Sequence, residues 1–115
     1  MKTLKIAIPT AAGLLCQHFG HCEQFALIDV DEENKTILKT TLVTPPPHEP
    51  GLLPTWLHEQ GADVIIAGGM GMRAQELFVD KGIRVVTGAS PEAPEQIVGA
   101  YLRGELVTGA NACDH

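Results

Sequence analysis

With 115 residues and 44% apolar content, the chain can build one hydrophobic core and is too short for two. Its net charge of -6, with no Lys/Arg cluster, argues against nucleic acid or an anionic membrane surface, since both require several phosphates to be neutralised. Lys5 and Pro9 interrupt the N-terminal apolar stretch, so it does not read as a signal peptide, and no run approaches the roughly 20 residues of a spanning helix. A cytoplasmic protein is expected. Three cysteines, an odd count, favour metal binding or unpaired thiols over a disulfide framework there.

The elements follow in order. Residues 4–9 form a short apolar strand, and residues 25–30 and 36–43 form two more, joined by the polar turn Asp31-Glu32-Glu33-Asn34. In the third strand Ile37 and Val43 share a face that Lys39 and Thr41 interrupt, which suits an edge strand. Pro45-Pro46-Pro47-His48-Glu49-Pro50-Gly51 is a stiff extended loop delivering a helix, with Pro54 in its first turn, Leu53, Trp56 and Leu57 at helical spacing, and Gly61 as the stop. Strand 63–67, helix 72–80 with Ala74, Leu77 and Phe78 on one face, and strand 84–87 come next. Ser90 caps a last helix with Pro91 at its first position and Ile97, Val98, Tyr101 and Leu102 as its buried stripe.

The order βββαβαβα with right-handed crossovers predicts an α/β fold. Its mixed five-stranded sheet, in the order 3-2-1-4-5 with flanking helices, is a ribonuclease H-like architecture. Residues 1–103 are the single domain and residues 104–115 a flexible tail. Loops 10–22 and 44–51, the Gly68-Gly69-Met70-Gly71 turn and turn 87–90 then meet at one sheet edge. The strand order reverses there, between the first and fourth strands, and open α/β sheets leave a ligand crevice at such a point.

That edge gathers the chemistry. Cys16-Gln17-His18-Phe19-Gly20-His21-Cys22 packs two thiols and two imidazoles into seven residues without a carboxylate, a set suited to zinc, iron, copper or iron-sulfur clusters rather than hard ions. The spacing is not that of a zinc finger, so it does not choose the metal. His48 adjoins, and about 12 extended tail residues span roughly 40 Å, enough for Cys113 and His115 to return to the same edge. Each has a plainer reading: His18 as a loop cap, His21 and His48 as solvated, Cys22 as an inert buried thiol, Cys16 as a loop residue, and Cys113 and His115 as a frayed end. Gly68, Gly69 and Gly71 open a helix whose N–H groups, with Arg73, can face an anion; otherwise they serve tight turning and packing. Neither a P-loop ending nor G-x-G-x-x-G is present, so nucleotide binding is unsupported. Asp29 and Asp63 fall at different strand ends, too few and too dispersed for a metal-dependent nuclease.

Several segments together resemble the dinitrogenase iron-molybdenum cofactor biosynthesis family: Lys5-Ile6-Ala7-Ile8-Pro9, His18-Phe19-Gly20-His21-Cys22 with Phe25 close behind, His48-Glu49-Pro50-Gly51, Ala67-Gly68-Gly69-Met70-Gly71 and Val86-Thr87-Gly88-Ala89. The family includes NifX-like carriers and the C-terminal domain of NifB-like proteins. The resemblance spans nearly the whole chain and implies a ribonuclease H-like, nitrogen fixation-related domain that binds iron-sulfur precursors of the nitrogenase cofactor. Cys113-Asp114-His115 is similar to the Cys/His-rich tails of small stand-alone members. The chain has no C-x3-C-x2-C, so the radical chemistry of NifB-like proteins does not transfer. The expectation is a non-enzymatic carrier of an iron-sulfur or iron-molybdenum-type cluster that meets donor and acceptor proteins. His18, His21 and Cys22 are the first-choice ligands, Cys16, His48, Cys113 and His115 further ones, and a zinc protein is the alternative.

Overall fold

The computed structural model describes residues 3–16, 23–45, 52–90 and 92–106. The chain order is β1 (Thr3–Ala11), β2 (Leu14–Leu15), β3 (Gln24–Asp31), β4 (Thr36–Val43), α1 (Leu52–Glu59), β5 (Val64–Ile66), α2 (Met72–Asp80), β6 (Arg84–Val86) and α3 (Pro94–Arg103). The sheet order is β4-β3-β1-β5-β6, with β1, β5 and β6 parallel and β3 antiparallel to both its neighbours. This is the expected order of the five main strands, but the sheet has six strands rather than five. The sixth, β2, pairs with the end of β1.

β1 and β3 are buried because both faces of the sheet are covered. On one face Ala7, Phe25, Leu27, Ile65 and Met70 pack with Leu53 and Leu57 of α1 and Phe78 of α2. Phe25 and Trp56 meet edge to face with ring centroids 5.6 Å apart, which seats α1 over β3. On the other face Ile6, Ile8, Ala26, Ile28 and Ile66 pack with Ile97 and Val98 of α3, and Leu106, beyond the helix, still joins this cluster.

Two expectations are corrected. β4 is the exposed edge strand, yet its register against β3 slips so that Asp29 faces Lys39 while Val30 faces Ile37. The extra residue is Leu38, and this bulge inverts the alternation, putting Ile37 with Thr40 and Leu42 on the α3 face and Val43 on the other. The last helix begins at Pro94 and not at Pro91, with Ala93 as its N-cap and no side-chain cap. Proline disfavours helical backbone in the residue before it, and Ala93 is accordingly extended at φ -63, ψ 139.

Candidate functional site

β1, β4, β5 and β6 all point toward one edge of the sheet, so the segments that follow each of them emerge there. The parallel register sets Ile6 against Val64 and Ala7 against Ile65; two steps on, Pro9 is level with Ala67, where β5 has ended. β1 runs on to Ala11 and leaves a notch above β5. The chain fills it with β2. Thr10 pairs with Gln24 on one side and with Leu15 on the other, so β2 must lie on the β5 side of β1.

A two-residue turn, Ala12-Gly13, makes that reversal, and both residues have left-handed backbone, φ 55 and φ 82. This is the geometry a tight hairpin requires, because a turn of that hand matches the twist of the strands it joins. Leu15 is buried in the α3-face cluster and its N–H donates to the Glu92 carbonyl at 3.0 Å, tying the hairpin to the segment after β6. The Cys16 N–H donates to the Pro9 carbonyl at 2.8 Å. Cys16, half-buried, is therefore held beside Pro9 on the β5 side of β1, just past the end of β2. Seven residues later the Glu23 N–H donates to the carbonyl of Thr10, also at 2.8 Å. Adjacent carbonyls of β1 thus anchor both stems of the 17–22 segment.

The glycine turn closes the other wall. Gly68 accepts the Gly88 N–H at 2.9 Å, Ala67 donates to the Val86 carbonyl at 2.9 Å, and Gln75 Nε2 donates to the Met70 carbonyl at 2.8 Å. Gly68, Gly69 and Met70 are buried, Gly71 and Arg73 exposed. Gly71 caps α2 with φ -64, ψ 155, a backbone open to any residue, and a Cβ there would meet nothing within 4 Å. Neither tight turning nor close packing explains Gly71. It leaves the first-turn N–H groups of α2 accessible, with no side-chain cap and no acidic residue in that turn.

Of the residues singled out in the sequence, the structure brings Cys16, Gly68, Gly69, Gly71 and Arg73 to this edge. His18, His21, Cys22, His48, Cys113 and His115 lie outside the described residues. Among the described residues no three His, Cys, Asp or Glu side chains group as a metal site. Asp29 and Asp63 both attend Lys5 at the far end of the sheet: Asp63 Oδ2 accepts the Lys5 N–H at 2.9 Å, and Lys5 Nζ stands 4.0 Å from Asp29 Oδ1. Asp63 thus serves the backbone of β1 and Asp29 the Lys5 ammonium, two separate structural roles. A cavity of about 450 Å³ beside Arg84, Tyr101, Leu102 and Leu106 also lies at that far end. At the loop-rich edge the α3 side holds a pocket of about 130 Å³ between Thr10, Gly13, Leu42 and Pro94, below the roughly 300–1,000 Å³ of ordinary small-molecule sites.

Sequence reading missed the Ala12-Gly13 hairpin and the side chain of Glu23, whose Oε1 accepts the Ala12 N–H at 2.8 Å. A glycine at the second of two residues between apolar runs was the available signal for the hairpin. A lone acidic residue offers none for the contact. Among the described residues no helix is long and apolar enough to cross a membrane.

Comparison with known proteins covers the same span. The family model described as dinitrogenase iron-molybdenum cofactor matches residues 2–104. An uncharacterized protein of Methanocaldococcus jannaschii is 27% identical over 109 residues, which is 92% of each chain. The crystal structure of PH0822 superposes with a TM-score of 0.84 at 29% identity, over 91% of this chain and 94% of that one. The apo form of the orange protein from Desulfovibrio gigas superposes with a TM-score of 0.73 at 23% identity over 93% of both chains, a likeness of fold.

Proposed function

Since the chain belongs to the dinitrogenase iron-molybdenum cofactor family, we propose that it is a non-enzymatic cytoplasmic carrier. It holds an iron-sulfur or iron-molybdenum-type cluster, or a precursor, at the loop-rich edge and passes it between donor and acceptor proteins. We read the fold as ribonuclease H-like, with residues 1–103 as its single domain and a Cys/His-bearing tail after it.

The observation that carries this reading is the pair of anchored stems, Cys16 on Pro9 and Glu23 on Thr10. Seven links join those two residues in sequence, a contour of about 25 Å when fully extended. In this reading a soft metal centre draws on Cys16 together with His18, His21 and Cys22, which lie between the two stems in sequence, without recruiting the core. Thiolate and imidazole bind exposed iron, and the open N-terminus of α2 with Arg73 offers positive potential to an anionic cluster. His48, Cys113 and His115 remain further candidates. A carrier suits an incomplete protein ligand set, since vacant positions let an acceptor's ligands enter before the carrier's leave.

Protein incubated anaerobically with iron and sulfide should gain broad visible absorption that survives desalting. Replacing His18, His21 and Cys22 together should abolish this while leaving far-ultraviolet circular dichroism unchanged. Uptake undiminished in that variant would refute the ligand assignment. A colourless protein carrying stoichiometric zinc would replace the carrier with a zinc-binding structural or regulatory protein.

A further inference from the structure

Glu23 makes two contacts at the point where the chain returns to the sheet. Its N–H bonds the Thr10 carbonyl, and its carboxylate takes the Ala12 N–H from the tip of the hairpin. Ala12 is a non-glycine residue in left-handed backbone, a conformation that costs free energy and persists only where its surroundings enforce it. Each strand of the arm offers two residues to the pairing, Thr10 and Ala11 against Leu14 and Leu15. Further restraints on it include the Cys16 bond to Pro9, the Leu15 bond to Glu92 and the burial of Leu15 in the α3-face cluster. The carboxylate therefore joins the strained tip of one stem to the base of the other, and it does so from an exposed position that core packing does not dictate.

We propose that Glu23 is a positioning residue: its carboxylate latches the Ala12-Gly13 turn, fixing Cys16 relative to the return of the chain and so slowing loss of the cargo held there. The latch is a property of the fold itself; its effect on cargo rests on the carrier reading above. Glutamine keeps an Oε1 acceptor for the Ala12 N–H but is a poor metal ligand, whereas alanine removes both. The pair Glu23→Gln and Glu23→Ala thus separates a latch from direct ligation.

The test has two arms. In metal-free protein, amide hydrogen exchange followed by NMR should show Ala12 and Cys16 exchanging about tenfold faster in Glu23→Ala, the loss expected for one hydrogen bond, with Ile6 and Ile8 unchanged and Glu23→Gln between the parent and Glu23→Ala because it keeps the acceptor without the charge. In protein loaded with iron and sulfide, chelator-driven loss should quicken several-fold in Glu23→Ala and be largely restored in Glu23→Gln. Unchanged exchange of Ala12 and Cys16 in Glu23→Ala overturns the latch whatever the cargo. Accelerated exchange with an unaltered rate of loss overturns its role in retention, and rapid loss in both variants makes Glu23 a ligand instead. Should the parent take up no iron and sulfide while the exchange arm holds, the carrier reading falls and the latch stands.

Discussion

Gly13→Ala tests the hairpin that carries Cys16, and its cost follows from backbone alone. Gly13 has φ 82, and a Cβ built on it meets nothing within 4 Å, so the substitution introduces no clash. What remains is the left-handed penalty of about 1–2 kcal/mol for a residue with a Cβ. Against it stands the roughly 0.4–1 kcal/mol by which alanine restricts the unfolded chain more than glycine does. The net loss is about 0–1.6 kcal/mol, which for a domain of this size lowers Tm by up to about 8 °C. Ala12→Gly has the opposite sign of strain, since it relieves φ 55, and should leave Tm level or slightly raised. Thermal unfolding followed by circular dichroism reads both. If Gly13→Ala raises Tm while Ala12→Gly lowers it, the turn is not held in left-handed backbone in solution, and the hairpin that places Cys16 beside Pro9 loses its basis.

Other substitutions probe the two walls and the core. Gly71→Ser should stabilise α2 by a few tenths of a kcal/mol in urea unfolding, because serine caps a helix better than glycine and the space is open; a destabilised variant would contradict the open cap. Arg73→Ala should leave stability unaltered and, in protein loaded with iron and sulfide, speed chelator-driven loss by about two- to fivefold at low salt, the range for about 0.3–1 kcal/mol at an exposed helix start. The difference should shrink at high salt, and equal loss rates at low salt would remove Arg73 from the site. Phe78→Ala, fully buried against the α1 and α2 side of the sheet, should cost about 3–5 kcal/mol in urea unfolding; a loss below 1 kcal/mol would mean that α2 is not packed as described.

The main strands and their order were legible because each is an apolar segment bounded by turn residues, and because right-handed crossovers leave few arrangements of them. What escaped depends on partners the sequence does not display. The bulge at Leu38 exists only relative to Asp29 and Val30 on β3, so simple alternation assigned Ile37 to the wrong face. β2 offers two residues, too few for any period, and its stability comes from Ala11, Pro9 and the Glu92 carbonyl. Ser90-Pro91 carried a stronger start signal than Ala93-Pro94, yet the second proline forced Ala93 into extended backbone and set the true start of α3. Of the site, it followed from topology that β1, β4, β5 and β6 end at one edge, and Cys16 and the glycine turn are there. That Cys16 lies on the β5 side of β1, and that Glu23 reaches across to Ala12, are hydrogen-bonding facts with no pattern of their own.

The division between core and site bears on how cargo could be released. Thr10 and Asp31 are the buried polar side chains among the described residues, and each is satisfied locally: the Thr10 hydroxyl donates to the Gln24 carbonyl, and the Asp31 carboxylate accepts N–H groups of Glu33 and Asn34. Apolar side chains of β1, β3, β5 and the helices, with Leu15, Met70, Ile83 and small neighbours, make up the rest of the core described on the two faces. Cys16, Gly71 and Arg73 stand outside it, at the ends of elements rather than within them. Cargo bound there would add to stability only through its own binding equilibrium, by RT ln(1 + [L]/Kd), and its departure would not withdraw a side chain from the core. In a protein whose fold required its metal, release would entail unfolding and a large barrier. On the carrier reading the sheet would stay intact through uptake and transfer, and retention would then depend on the few hydrogen bonds that fix the stems at Pro9, Thr10 and Ala12, which can be weakened one at a time without removing a core side chain.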